Sequence, residues 1–254
     1  MAELAAMTWE EIRDLDRPRT IAILPVGAME AHGPHLPLNT DVVIALAMAS
    51  AGERRLASQG RPAVVLPPLV YTAAGYAAGF VGTISVEPDN VTRLVVDIAR
   101  GLAAQGFPLL AVANAHLDPA HLAALDKAGT LVREESLLEF VFPNIAARPW
   151  APRLTEEFRT GACHAGQFET SIVLAREPAL VRADIAGRLP AVPASIGRAI
   201  REGKRTFEEA GGPRAYFGNP AAATREEGER TIEVLGAILE EAVLGAVTRM
   251  EALP

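Results

Sequence analysis

Between residues 25 and 41 the chain reads PVGAMEAHGPHLPLNTD, which gathers Glu30, His32, His35 and Asp41 into one Gly/Pro-rich segment after an apolar run. Carboxylate oxygens mixed with imidazole nitrogens suit Zn2+, Mn2+ or Fe2+. In an extended segment the Glu-x-His spacing turns Glu30 and His32 to the same side. Asp41, at a helix start, has two oxygens to offer a pair of cations. Each residue also has a plainer explanation: Asp41 caps the helix, His35 sits in a turn, and Glu30 is solvated. Their concentration in one loop favours a metal site.

Two further segments carry candidate chemistry. In VANAHLDPAH, residues 112–121, His116 follows an apolar run, where a ligand at the end of a strand would stand. Asp118 is either a further ligand or the N-cap of a helix opened by Pro119. His121 is expected to be an exposed helix residue. In CHAGQFETS, residues 163–171, His164 and Glu169 precede an apolar helix and supply further ligands or proton carriers. Cys163 beside His164 suggests a thiol nucleophile, but neighbours in an extended chain point to opposite faces. There is no G-x-S-x-G elbow. Gly75, Gly79 and Gly82 do not spell a dinucleotide fingerprint, and no phosphate loop is present.

These segments must be held by a frame, and the hydropathy pattern outlines one. Residues 20–26 (TIAILPV) read as a buried strand, 27–39 as a loop and 41–56 as a helix. Strands follow at 62–66, 108–113 and 136–142. A helix opens at Glu87-Pro88-Asp89-Asn90, with Val91, Leu94, Val95, Ile98 and Leu102 forming one apolar stripe. Another helix spans 119–134, a Gly/Ala-rich loop with aromatic residues spans 71–82, and a terminal helix spans 221–250. Strands alternating with amphipathic helices predict an α/β fold, with a mostly parallel sheet flanked by helices on both faces. The whole chain, 1–254, is expected to form one domain. In such folds the site lies at the carboxyl ends of the strands, where these polar segments fall.

Composition removes several function classes. Half of the 254 residues are apolar, enough for one substantial core. The net charge of −7 comes without a basic stripe, which argues against nucleic-acid binding. The short cluster Arg201, Lys204 and Arg205 is balanced by Glu202, Glu208 and Glu209, and is expected to be a solvated helix face. Cys163 is the sole cysteine, so no intrachain disulfide forms. No apolar stretch approaches the roughly 20 residues that span a bilayer, and the N-terminal segment lacks the pattern of a secretion signal. A soluble cytoplasmic protein is expected, with a small-molecule substrate and no nucleic-acid or membrane partner.

Taken together, the segments LPVGAMEAHGPHLPLNTD, GFVGTIS, NAHLDPAH, HAGQFETS and YFGNPAAATREEGE resemble the creatininase (creatinine amidohydrolase) family over most of the chain. The resemblance implies an α/β fold, a homohexamer and hydrolysis of C–N amide-like bonds with two divalent metals, Zn2+ and/or Mn2+ with Fe2+ as an option. It further implies that Glu30, Asp41 and His116 hold one metal, that His32 and Asp41 hold the other, and that His164 is the catalytic proton carrier. The family's pattern is not followed throughout. Many members read N-G-H-G-G-N where this chain has Asn114-Ala115-His116-Leu117-Asp118-Pro119, and H-A-G-E where it ends in Gln167. Creatininase has a metal-binding glutamate at the position of Asp118, so Asp118 is expected to complete the second metal's shell and is counted with His164 among the catalytic groups. Glu169 stands in reserve. In GYAAGFVGT, Ala77 and Ala78 occupy the place of a histidine and Val81 that of a proline, in a loop expected to face substrate. Trp150 is expected near the site as a partial counterpart of creatininase's aromatic lid.

The implied mechanism is attack on a carbonyl by a hydroxide bridging the two metals, with His164 protonating the departing nitrogen. The substrate is a cyclic amide or a related small molecule, a formylamino-pyrimidine, or a peptide end. The rivals from other classes are a catalytically silent metal-binding protein and a nucleotide-binding module.

Overall fold

The computed structural model describes residues 2–252; residues 1, 253 and 254 of the expected domain lie outside them. Its strands are β1 (Ile21–Val26), β2 (Ala63–Val65), β3 (Leu109–Asn114) and β4 (Glu139–Val141), all parallel, in the order β2-β1-β3-β4. The helices are α1 (Trp9–Arg13), α2 (Thr40–Ser58), α3 (Pro88–Ala104), α4 (Pro119–Glu134) and α5 (Glu156–Thr160). They continue with α6 (Gln167–Arg176), α7 (Ala183–Ala186), α8 (Ile196–Arg201) and α9 (Arg225–Glu251).

Alternation along the strands builds two cores. Ile21, Ile23, Leu109, Ala111 and Ala113 pack on one face with Met48 of α2, Ile172 of α6 and Leu235 and Leu239 of α9. Ala22, Leu24, Val26, Leu110 and Val112 pack on the other with Val91, Val95 and Leu102 of α3 and Leu125 and Val132 of α4. Burial on both faces explains why β1 and β3 read as unbroken apolar runs. The helix layer of α2, α9 and α6 is tight because it is glycine-lined at the crossing. A Cβ on Gly236 would stand 2.5 Å from the Cβ of Ala51.

The strand order sets the site. The chain leaves β1 toward β2 and leaves β3 toward the opposite edge, so the loops after these adjacent strands diverge and open a crevice at their carboxyl ends. Gly27 then lets the start of α2 fold back against the β1 loop, since a Cβ there would meet the Val42 nitrogen at 2.5 Å. That approach brings Asp41 beside Glu30 and His32.

Some expected boundaries move. The expected strand at 136–142 shortens to Glu139–Val141 because Ser136 turns at φ 52°. The terminal helix starts at Arg225, because Pro220–Ala222 makes a separate 3-10 turn and the Thr224 side chain caps the helix on Glu227 N–H. Among the described residues no helix is long and apolar enough to cross a membrane.

Candidate metal centre

Six side chains converge in the crevice: Glu30 and His32 from the β1 loop, Asp41 from the first turn of α2, His116 after β3, His164, and Glu169 from the first turn of α6. All are buried. His32 Nε2 lies 3.2 Å from Asp41 Oδ1, 3.5 Å from Glu169 Oε2 and 4.0 Å from Glu30 Oε1. His116 Nδ1 lies 3.0 Å from Asp41 Oδ2 and 3.2 Å from Glu30 Oε1. His164 Nδ1 lies 3.8 Å from Glu30 Oε1.

Each imidazole is fixed through its other nitrogen. His32 Nδ1 stands 3.1 Å from the Glu30 carbonyl, His116 Nε2 2.7 Å from the Ala73 carbonyl and His164 Nε2 2.9 Å from the Ala31 carbonyl. A carbonyl only accepts, so these nitrogens carry the protons, and in a neutral ring the opposite ones present lone pairs. Those lone pairs are aimed at carboxylate oxygens, which also only accept. Accordingly Glu30 Oε2, His32 Nε2 and Asp41 Oδ2 are buried without a hydrogen-bond partner. A cluster of acceptors facing acceptors calls for cations. Three sets have ligand atoms close enough to share one: Glu30, Asp41 and His116; His32, Asp41 and Glu169; and Glu30, His32 and His164.

The proton affinities point the same way. Burial pulls His32 down, but Asp41, Glu169 and Glu30 outweigh it and hold it up at about 10. His116 is likewise held well above its usual range against burial by Glu30 and Asp41. Burial pushes Glu169 up to about 8 and raises Glu30, while His32 and His116 overcome burial to keep Asp41 well below the carboxylate range. Without metal the acids draw protons onto the histidines; metal ions would take the protons' place. His164 differs. Burial, reinforced by the neighbouring His32 charge, holds it well below the usual imidazole range. Its ring lies against Phe207, with centroids 4.2 Å apart.

The remaining sequence candidates divide, and Asp118 lines the cavity above the cluster without joining it. Asp118 is the N-cap of α4: Oδ1 accepts from Ala120 N–H at 2.8 Å and Oδ2 from Tyr76 N–H at 3.2 Å, and it joins none of the three sets. Glu169, the reserve, does join one, with Oε2 also accepting from Ala165 N–H at 2.6 Å. His121, expected on an exposed face, is fully buried, and its Nε2 bonds to Asn114 Oδ1 at 2.9 Å while Asn114 holds the His116 carbonyl. The expectation failed because His121 shares the buried face of α4 with Ala124, Leu125 and Ala128. His35 turns away to Thr170 Oγ1 at 2.9 Å. Gln167 bonds to Glu227 on α9 rather than facing the site. Burial, with Glu169 and Glu157 nearby, pushes the Cys163 thiol up, so it stays protonated and a poor nucleophile.

A cavity of about 310 Å3 opens over the cluster, lined by Glu30, Asp41, His116, His164 and Glu169 at its base. From the 71–82 loop Tyr76 lines it, whereas Val81 is fully exposed. Trp150 packs into the core instead, and its neighbour Ala151 lines the cavity. Phe207 and the segment 195–201 also form its wall, and nothing in their local sequence marked them.

The creatininase profile, described as creatinine amidohydrolase, matches residues 5–243. The chain is 32% identical over 228 residues to a mycofactocin precursor peptide peptidase of Mycobacterium tuberculosis, covering 87% of this chain and 82% of the other. It is 28% identical to a creatinine amidohydrolase of Pseudomonas putida, covering 70% and 73%. A mutant creatininase complexed with creatine superposes with a TM-score of 0.73 at 26% identity, over 100% of this chain and 99% of that one. Other matching structures are described as creatininase with Mn (TM-score 0.69, 25% identity, 100% and 99% covered) and as Zn-Zn type (0.68, 26%, 99% and 98%). The chain belongs to the creatininase family of amidohydrolases.

Proposed function

We propose that this protein is a two-metal hydrolase of a C–N amide bond, with Glu30, Asp41 and His116 holding one divalent ion and His32, Asp41 and Glu169 the other. Asp41 is shared. The observation that carries this is the set of tethered imidazoles whose free nitrogens face partnerless carboxylate oxygens. In that arrangement Zn2+ or Mn2+ would supply Lewis acidity, acidifying a water and polarising the carbonyl. The Ala31 carbonyl orients His164 so that Nδ1 faces the cluster. Neutral as burial keeps it, His164 takes a proton at Nδ1 and delivers it to the departing nitrogen. Phe207 covers its ring and keeps bulk water from that proton.

The bond class is wider than non-peptide amides alone. A cavity of about 310 Å3 is twice the ~150 Å3 that accommodates benzene, roomier than a creatinine-like ring requires. Together with the peptide peptidase named among the relatives, this favours the end of a peptide as substrate. The proposal extends to a cytoplasmic homohexamer. Leu38, Tyr71, Val81 and Ile84 are exposed apolar side chains that assembly would cover.

Chelation tests the core of the proposal. Amine release from a panel of acyl peptides and from creatinine should vanish after chelation and return with Mn2+ or Zn2+. Full turnover by metal-free protein would overturn it.

A further inference from the structure

Of the exposed cluster Arg201, Lys204 and Arg205, expected on a solvated helix face, Arg201 alone lies in a helix. Helix α8 ends at Arg201, and that side chain lines the cavity above the metal centre. A second arginine, Arg159, reaches the same cavity from the end of α5.

The fold holds the two together. Gly161 ends α5 at φ 80°, and its carbonyl accepts from Ile196 N–H at 2.8 Å. The two segments approach so closely that a Cβ on Gly161 would stand 2.6 Å from Ser195 Oγ. Arg201, one helical turn beyond Gly197, comes back over it, with Nη1 3.7 Å from the place of a Gly197 Cβ.

Neither guanidinium forms a hydrogen bond or a close ion pair among the described residues, although the Arg201 charge acts on Glu202 at longer range. The acids nearest in sequence are engaged elsewhere. Glu202 accepts from Arg198 Nε at 2.7 Å. Glu157 accepts from the Phe168 and Asn219 N–H groups, each at 2.7 Å. About half of the other exposed arginines among the described residues lie in surface ion pairs, such as Arg100 with Glu135 and Arg225 with Glu229. Two guanidinium groups lining one open cavity without close partners could together receive a planar anion.

We infer that Arg159 and Arg201 bind a carboxylate at the far end of the substrate, so that the amides cleaved are those of acylated amino acids or peptides with a free C-terminal carboxylate. This rests on the amidohydrolase proposal, because the amide must lie over the acidic base while its carboxylate reaches the basic wall. The size of the cavity leaves room for both ends.

The test uses full-length, Mn2+-loaded protein and a matched pair of probes, N-acetyl-Ala-Phe and its C-terminal carboxamide. Calorimetry should show the acid binding about ten-fold tighter or more. The Arg159→Gln, Arg201→Gln double variant should bring the acid to the level of the carboxamide without changing the carboxamide's affinity. The corresponding double lysine variant should keep part of the preference. Equal affinities for the two probes, including no measurable binding of either, would overturn the inference, as would a preference that survives the double glutamine variant. Amine release separates this from the function it rests on. Equal cleavage of acid and carboxamide leaves the amidohydrolase standing and removes the carboxylate receptor. Selective acid binding with no cleavage of any amide does the reverse.

Discussion

The base of the cavity and its wall are built by opposite means. At the base, each side chain leaves a loop or first turn attached directly to the central sheet or to its long helices. Each is buried, and each histidine is tied by one nitrogen to a backbone carbonyl. The wall is carried by α5 and α8, of 5 and 6 residues, and its arginines are exposed. A base made this way is rigid and fixes reaction chemistry, whereas a wall made this way can change between relatives without disturbing it.

Substituting across that divide should give effects of very different size. Asp41→Asn preserves volume but removes the carboxylate common to the two sets proposed to hold metal. Losing metal-based charge stabilisation amounts to several kcal/mol, so kcat/KM should fall about a thousand-fold or more, with metal content reduced. Ile200→Ala in the wall should move KM and leave kcat within a few-fold. Comparable losses in kcat from both would erase the distinction.

Within the base, His164 is the residue assigned to protons rather than to metal. His164→Gln should lower kcat by about a hundred- to a thousand-fold, with metal content unchanged by elemental analysis. Loss of metal in this variant would instead assign His164 to the third ligand set, with Glu30 and His32.

A buried histidine just outside the base should contribute to the acid sensitivity of the fold. Burial, and then the charge on His32, holds His35 down at about 4. Its unfolded counterpart titrates near 6.5, so between these values the unfolded chain takes up a proton that the native state refuses. The contribution is complete above about pH 6.5 and is lost as pH falls toward 4, amounting to up to about 3 kcal/mol. Urea unfolding of native and His35→Gln protein at several pH values isolates it, because the other titrating groups are common to both. Parallel stability curves would refute the assignment.

The same divide governs what was legible in the sequence. The frame could be read because strands buried on both faces leave apolar runs, and because Pro119 and the Glu87-Pro88-Asp89-Asn90 segment announce helix starts at Pro119 and Pro88. Glu30, His32 and Asp41 stood out because they share one loop. His116, His164 and Glu169 could be grouped with them because α/β folds gather the carboxyl ends of their strands, and the family resemblance then gave His116 and His164 separate roles. The tethering carbonyls of Ala31 and Ala73 carry no side-chain signal at all. His121 misleads because it is a polar residue at the helical spacing of Ala124, Leu125 and Ala128, the buried face of α4. The wall was hidden because Arg159 and Arg201 reach one cavity through the approach of Gly161 to Ser195, which no local spacing reveals.

Asp118 sits on the boundary between the two regions and separates readings that the sequence left open. Its two oxygens bind the N–H groups of Ala120 and Tyr76, the first in α4 and the second in the cavity wall. As a cap, its loss should lower stability by about 1 kcal/mol. It should loosen the Tyr76 segment and raise KM modestly, because Tyr76 lines the cavity. As a metal ligand, its loss would remove one ion per chain and most activity. Asp118→Ala protein that keeps its full metal content and unfolds slightly earlier assigns the second metal's carboxylate to Glu169. A halved metal content would return that role to Asp118 and place the base-to-wall boundary one loop further out.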